Sequence, residues 1–308
     1  MALNTIGFVA DVLGIVGFTQ SLIPGREAMG ATVRIKAGLG DDESTSLGGN
    51  IAAVYGFDIN NDFLGASGGG SLGDGGVLDL VIDQATPGKQ ADFVSVSNGD
   101  DGICIAWIAV SQFDDSGTGA WTGDIGKGCG ADWYVGNQNA GTLPDGTAYR
   151  PNCAWLDGNH NNDIAEASLK FRTLAYGASA VDTVNSGRQC TSTIFGPDTG
   201  PIPGAPAKRT PRARLPWMER RLIVSSFPAH SAAELCNSTT SRGPDFVGPD
   251  GKFCDMGTKT LYPLCSVEEV DGCVEVNPVK REVIRQSTVA RRSVQTVHKS
   301  YKTVTQWD

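Results

Sequence analysis

The chain carries eight cysteines, four on each side of a stretch rich in proline and glycine. An even number on each side predicts two modules, each held by its own disulfides in an oxidising compartment. The chain has no Cys-x-x-Cys pair, which argues against a structural zinc site. The alternative, free buried thiols in a cytosolic protein, stays open, and the spacing does not give the pairing. The candidate disulfide cysteines are Cys104, Cys129, Cys153, Cys190, Cys236, Cys254, Cys265 and Cys273.

Charge and glycine content change at the same place in the chain. Residues 1–200 hold 9 Lys and Arg against 23 Asp and Glu, whereas residues 201–308 hold 16 against 11. Of the 40 glycines, 34 precede residue 201. Between the two parts, residues 196–206 contain four prolines, whose fixed dihedral angle and missing N–H donor suit neither helix nor sheet. The acidic first part disfavours nucleic acid as a partner, because phosphate binding needs clustered Lys and Arg.

This division predicts four regions. A hydrophobic, glycine-spaced helix covers residues 1–25, and an acidic β-sandwich domain covers residues 31–195. A Pro/Gly/Arg linker follows over residues 196–222, and a basic, disulfide-held module with a tail covers residues 223–308.

The first region has small residues at helical spacing. Three readings of it compete: a helix packed in the protein's own core or in an oligomer interface, a helix that inserts into or anchors to a membrane, and a signal segment that is removed. The stripe resembles the glycine-spaced N-terminal helix of fungal cell-death execution proteins. Its members, at spacings of 3, 4, 3 and 4, are Gly7, Ala10, Gly14, Gly17 and Ser21.

From residue 31 the pattern of apolar residues changes to a period of two, which is typical of strands with one face in water. Short apolar runs separated by Gly, Asp and Asn clusters predict a mainly β fold, an antiparallel sandwich. The candidate strand Ile103–Ser111 contains a run, residues 103–110, that is apolar on both faces and predicts a central strand. The other candidate strands cover residues 31–37, 51–57, 77–83, 91–97, 132–136, 153–156 and 168–176.

Several motifs of this region resemble a group of filamentous-fungal proteins with no established activity. In that group a glycine-spaced N-terminal helix precedes a β domain that carries Cys and Trp. The motifs are Gly-Phe-Asp-Ile-Asn-Asn-Asp62, Gly-Ala-Trp-Thr-Gly-Asp124, Cys-Gly-Ala-Asp-Trp-Tyr134 and Cys-Ala-Trp-Leu-Asp-Gly-Asn159. The strand order is also similar to that of lipid-binding PLAT/LH2 sandwiches. The resemblance implies a fungal source and a sandwich fold.

One Asx-rich loop has the spacing of a cation site. Oxygen-bearing side chains at Asp157, Asn159, Asn161 and Asp163 alternate along the chain, as in loops that wrap calcium. The alternative is a turn whose side chains bond their own backbone. Calcium is therefore the one cofactor that the sequence suggests, and residues 58–62 are a weaker candidate of the same kind.

No linear motif predicts catalysis. The three histidines, His160, His230 and His298, lie outside any nucleophile or zinc motif. The glycine-rich residues 68–76 lack the Gly-Lys-Ser/Thr of a phosphate loop, and they predict a flexible hairpin loop. Two carboxylates facing one cleft need no linear motif, so a carboxylate-based hydrolase stays an alternative.

The basic second part contains three local signals. Ser231-Ala-Ala-Glu234 is a capping box that predicts a short helix ending near Cys236. Asn237-Ser-Thr is a glycosylation sequon, so Asn237 is a candidate acceptor. Residues 287–307 alternate Val and Thr with Arg and Lys, which predicts an edge strand.

Together these features predict a non-enzymatic, secreted or cell-surface protein with an effector-like character. Its ligand is a glycan, a membrane or a protein, and its N-terminal helix makes a homo-oligomer or attaches the chain to lipid. The alternatives are a pore-forming or cell-death protein and the carboxylate-based hydrolase.

Overall fold

In a computed structural model, the protein is described at residues 22, 24–25, 30–40, 47–114, 117–143, 145–202, 215–289 and 292–308. The chain divides into two compact units, Met1–Arg212 and Ala213–Asp308, which we call unit 1 and unit 2. The boundary lies between the two groups of four cysteines. The predicted N-terminal helix, with its stripe from Gly7 to Ser21, lies outside the described residues. No helix within the described ranges is long and apolar enough to cross a membrane.

Unit 1 is built from short strands, as predicted. In chain order these are β1 (Thr32–Ala37), β2 (Gly49–Phe57), β3 (Phe63–Leu72), β4 (Val77–Val81), β5 (Asp83–Gln84), β6 (Phe93–Asn98), β7 (Ile103–Ser111), β8 (Thr118–Thr122), β9 (Trp133–Tyr134), β10 (Gly141–Thr142), β11 (Ala148–Tyr149), β12 (Cys153–Leu156), β13 (Ser168–Arg172) and β14 (Thr193–Gly196). Helices α1 (Gly123–Gly128) and α2 (Ala180–Asn185) and a 3₁₀ turn (Thr173–Tyr176) complete the unit's regular elements in the described segments.

Most of these strands form two antiparallel sheets. The first sheet has the order β4-β1-β7-β12-β9, with β8 also pairing with β7. The second has the order β14-β13-β6-β2-β3-β5. Strand β7 lies inside the first sheet and every one of its residues is buried, which confirms the prediction of a central strand.

One hydrophobic cluster joins the two sheets. Ile35 of β1 and Ile108 of β7 come from the first sheet, whereas Val54, Val96 and Leu169 come from the second, and all five are fully buried. Since alternate residues of a strand point to opposite faces, each sheet turns one apolar face toward this shared core. The arrangement is sandwich-like, and unit 1 is mainly β.

The glycine-rich segment is a strand where the sequence predicted a loop. Residues 63–72 pair with β2 along its whole length, and the chain turns only after them. A Cβ at Gly69 would lie 1.7 Å from the Ile51 carbonyl oxygen, and one at Gly65 would lie 1.9 Å from the Asp83 oxygen. The glycines are therefore placed where two backbones approach too closely for a side chain, which is a recognised use of glycine within strands.

Unit 2 combines a mixed sheet with a small antiparallel one. Strands β15 (Arg221–Ser225), β16 (Asp245–Gly248), β17 (Lys252–Asp255), β18 (Thr260–Pro263) and β22 (Thr303–Trp307) form a sheet of order β18-β17-β16-β15-β22; β19 (Val274–Asn277), β20 (Glu282–Val289) and β21 (Arg292–Ser300) form the other. Strand β15 is parallel to both of its neighbours. The tail supplies β22 at the sheet edge, which confirms the predicted edge strand.

The short helices of unit 2 are α3 (Pro216–Glu219) and α4 (Ala232–Asn237). The Ser231 side chain accepts a hydrogen bond from the Glu234 backbone N–H at 3.1 Å, as the capping box predicted. The predicted linker, residues 196–222, overlaps both α3 and the first residues of β15.

All eight cysteines lie within the described residues and form disulfides. The pairs are Cys104–Cys153, Cys129–Cys190, Cys236–Cys254 and Cys265–Cys273. Each bond joins two cysteines of the same unit, so the prediction that each half is cross-linked separately is confirmed.

Candidate functional site

The candidate site is built around a lysine in the middle of strand β13. Its neighbours Leu169 and Phe171 point into the shared core, so Lys170 lies on the opposite face of the second sheet. A lysine on the outer face of a sheet is ordinarily exposed, but only 4% of Lys170 is accessible to solvent. The charged end group of this residue is thus held against the protein.

Aromatic and amide groups surround the Lys170 ammonium. Nζ lies 3.4 Å from the centre of the Phe57 ring and 5.7 Å from that of Phe93, and it donates a hydrogen bond to Asn61 Oδ1. Within the part of the chain that the structure describes, no carboxylate lies within ion-pairing distance of it. Burial lowers the pKa of Lys170 from its ordinary value to about 8.

The turn between β2 and β3 carries Asn61 to this lysine. The Asp58 carboxylate accepts backbone N–H bonds from Asn60 at 2.9 Å and from Asp62 at 3.0 Å, which closes an Asx turn. Asn61 has a φ of 67°, a left-handed conformation that asparagine tolerates better than most residues. The N–H bond from Asp62 is the main cause that lowers the pKa of Asp58, and the nearby Lys89 adds to it.

Beside Lys170 the surface opens into a cleft of about 250 Å³. The polar residues of its walls are Lys170, Asn60, Asn61, Thr191 and Ser192. The apolar walls are Ile59, Phe93, Ile194 and Ile202. Ile59 is 54% exposed, so an apolar side chain forms part of the rim.

The wall that contains Thr191 and Ser192 is anchored by a disulfide. Thr191 directly follows Cys190, which is bonded to Cys129. The Ser192 backbone N–H donates to the Arg188 carbonyl at 3.0 Å, and the Arg172 N–H donates to the Ser192 carbonyl at 3.0 Å. The cleft is therefore bounded on one side by a tied turn and on the other by a disulfide-anchored segment.

The predicted calcium loop is not part of the Lys170 cleft, and its side chains accept hydrogen bonds from the loop's own backbone. Asp157 Oδ2 accepts from the Asn162 N–H at 2.8 Å, and Asn159 Oδ1 accepts from the Asn161 N–H at 3.1 Å. Burial raises the pKa of Asp157. No group of three or more His, Cys, Asp or Glu among the described residues is arranged to hold a metal ion. Calcium binding at these residues and Asp163 stays a prediction.

The sequence singled out only part of the observed site. Residues 58–62 were a weak metal candidate, and three of them, Ile59, Asn60 and Asn61, line the cleft. Lys170, Thr191 and Ser192 were not predicted. The available signal was a lysine between two core residues in a predicted strand, but that pattern also describes any solvent-facing position.

The histidines and Asn237, which the sequence analysis also named, do not line the Lys170 cleft. The two ring nitrogens of His160 lie 2.7 Å from the Ile164 carbonyl oxygen and 2.8 Å from that of Pro197. His230 and His298 belong to unit 2. Asn237, the candidate glycosylation acceptor, is exposed at the end of α4, and its glycosylation stays a prediction.

Comparisons with protein families, with curated proteins and with solved structures found no match to this chain.

Proposed function

We propose that the protein is a non-enzymatic extracellular binding protein whose β-sandwich unit holds a glycan in the Lys170 cleft. The observation that carries this proposal is a buried ammonium without a carboxylate partner among the described residues, placed beside an open cleft. A charge taken out of water is costly unless it is paired, and perturbed groups of this kind concentrate at functional sites.

The disulfides support an extracellular location. Four cross-links that involve every cysteine are typical of extracellular proteins, because the cytosol keeps thiols reduced. The secreted or cell-surface location is accordingly part of the proposal.

The lining of the cleft favours a glycan over the other ligand classes expected from the sequence. Amide and hydroxyl groups offer donors and acceptors to sugar hydroxyls, whereas Phe93 and Ile194 offer apolar contact to the C–H face of a ring. A cleft of about 250 Å³ is too small for a folded protein segment. A ligand of one or two sugar residues suits its size.

The hydrolase alternative gains no support from this cleft. Glycoside hydrolysis needs two carboxyl groups that face the same bond. The cleft walls contain none among the described residues. A binding role needs only the groups that are present.

A glycan array screened with the full chain tests the proposal. The wild-type protein should bind a subset of glycans, and Lys170→Met should lower that binding at least tenfold. Lys36→Met is the matched control: Lys36 is another buried lysine of unit 1, but its ammonium bonds the Gly75 carbonyl and lies outside the cleft. Equal binding by wild type and Lys170→Met, or no binding by either, would refute the proposal.

The N-terminal part of the proposal rests on the sequence alone. We propose that residues 1–25 form a helix that oligomerises the protein or attaches it to lipid, with pore formation as the alternative. Sedimentation of the full chain and of a variant lacking residues 1–25 tests self-association, and flotation with liposomes tests attachment. The same number of chains per particle and the same flotation for the two proteins would contradict both roles.

A further inference from the structure

We propose that the Lys170 cleft selects an acidic sugar, a hexuronate residue, whose carboxylate pairs with the Lys170 ammonium. This choice of ligand depends on the function proposed above, since it specifies which glycan the cleft holds.

The Lys170 ammonium has more N–H donors than its hydrogen bond to Asn61 uses. An ammonium group has three N–H donors. One bonds Asn61 Oδ1, and the Phe57 ring lies 3.4 Å from Nζ. At least one donor is therefore available to a ligand in the cleft that Lys170 lines. A carboxylate there would form a charge-assisted hydrogen bond, the strong kind, and would neutralise a charge that burial has removed from water.

The charged residues near the cleft indicate how much negative charge a ligand there should carry. Asp58 lies two residues before Asn60 and Asp92 directly precedes Phe93, but neither acid is part of the cleft walls. Burial raises the pKa of Asp92, and the negative charge of Asp58 raises it further, against the opposite effect of Arg172. Asp58 is paired with Lys89 at 3.5 Å and the charge of Arg172 acts on Asp92, so Lys170 is the cation of the cleft walls that has no carboxylate partner among the described residues. A single carboxylate therefore matches the single ammonium.

The other polar residues of the cleft and its volume suit a sugar ring. The Thr191 hydroxyl donates to the Arg188 carbonyl at 2.9 Å and can only accept from a ligand. Once a carboxylate occupies the lysine, Asn60, Thr191 and Ser192 are the polar residues left in the walls. They match the ring hydroxyls of a sugar. A cleft of about 250 Å³ lies just below the roughly 300–1,000 Å³ of sites for drug-sized ligands, so it suits a ligand of one or two sugar rings. A hexuronate combines a ring, hydroxyls and one carboxylate at this size.

The test compares two ligands that differ only in charge. Galacturonate and its methyl ester have the same ring and hydroxyls, but the ester has no negative charge. Isothermal titration of the full chain should show that wild type binds galacturonate at least tenfold more tightly than the ester. Lys170→Met and Lys170→Gln should both bind the two ligands equally, and Lys36→Met should keep the wild-type preference. Near-UV circular dichroism of each variant shows whether its fold is retained.

Three outcomes would overturn the inference. Equal binding of acid and ester by wild type, with affinity for neutral glycans on the array, would refute the choice of hexuronate but leave the proposed glycan binding intact. A preference for galacturonate that survives in both Lys170 variants would refute the role of this lysine. Failure of wild type to bind galacturonate, the ester or any arrayed glycan would refute the inference and the proposed function together.

Discussion

At the scale of single residues, Lys170 shows how a charged group is tolerated inside a sheet surface. Its ammonium contacts the Phe57 ring and the Asn61 side chain, and the Phe93 ring lies farther away, with its centre 5.7 Å from Nζ. These contacts replace only part of the lost hydration, because neither is a full counter-charge. The lysine is therefore expected to reduce stability while it serves binding, a common compromise at functional sites.

The lowered pKa of Lys170 predicts a pH dependence of stability. Between about pH 8 and 10.5 the unfolded chain holds a proton that the folded chain has lost, so the free energy of unfolding rises with pH. Below pH 8 both states are protonated and the cost of the buried charge is fully present. Relative to Lys170→Met, wild type should gain about 2 kcal/mol between pH 7.5 and 10, measured by urea unfolding. A constant difference over this range would contradict the burial of the charge.

Unit 2 contains a half-buried lysine, Lys299, which has two buried counter-ions. Lys299 Nζ lies 3.0 Å from Asp245 Oδ2 and 2.6 Å from Asp255 Oδ1, and both aspartates are at most 2% exposed. The Tyr301 hydroxyl also donates to Asp245 at 2.8 Å. Burial alone would raise the pKa of Asp255, but Lys299 and the backbone N–H groups of Gly257 and Thr258 lower it overall.

Lys299→Met should destabilise unit 2 by about 3–5 kcal/mol near neutral pH, because two buried carboxylates lose their cation. In wild type the lowered pKa of Asp255 contributes stability that is present above its unfolded pKa and is lost as pH falls through the folded value. The deficit of the variant should therefore shrink toward pH 3–4. Chemical unfolding at several pH values measures both effects, with Lys302→Met, an exposed lysine of the same unit, as control. A neutral-pH loss below about 1 kcal/mol would show that the bridge is not structural.

At the scale of elements, the strands that agree with prediction are the ones with dense apolar runs. Residues 103–111 and 153–156 were predicted with the observed bounds, because turn residues limit each run. The predicted strand 168–176 ends at Arg172 and continues as a 3₁₀ turn. Strand β3 was missed, because glycine has low strand propensity and only close backbone contacts explain its presence.

Two neighbouring glycines of β3 provide a test of that strand. A Cβ at Gly69 would lie 1.7 Å from the Ile51 oxygen, whereas a Cβ at Gly68 would have no heavy atom within 4 Å. Gly69→Ala should cost at least about 2 kcal/mol through overpacking, and Gly68→Ala should stay within about 0.5 kcal/mol of wild type. Thermal unfolding compares the two variants. Equal stabilities would support the flexible loop that the sequence suggested.

At the scale of the whole molecule, each unit has its own core and its own cross-links. The cluster around Leu169 belongs to unit 1, and the cluster around Phe253 belongs to unit 2. The sequence separation is 49 residues for Cys104–Cys153 and 18 residues for Cys236–Cys254. Closing a longer loop removes more entropy from the unfolded chain, so the first bond should stabilise more than the second.

Replacing both cysteines of Cys104–Cys153 by alanine should destabilise unit 1 by about 4 kcal/mol, and the same change at Cys236–Cys254 should destabilise unit 2 by about 3 kcal/mol. Hydrogen exchange measured by mass spectrometry reports peptides of each unit separately. Each double variant should accelerate exchange only in its own unit. Acceleration in both units from either variant would contradict separate stabilisation.

The β character, the separate cross-linking of the two halves and the capped helix after Ser231 could be predicted from sequence, since they depend on residue types and short-range spacing. The pairing of the cysteines, the strand formed by the glycine run and the burial of Lys170 could not, because they depend on the tertiary fold. The cleft joins a turn near residue 60, a strand at residue 170 and a segment near residue 192. Sheet pairing brings these distant segments together, and no local pattern records the register that does so.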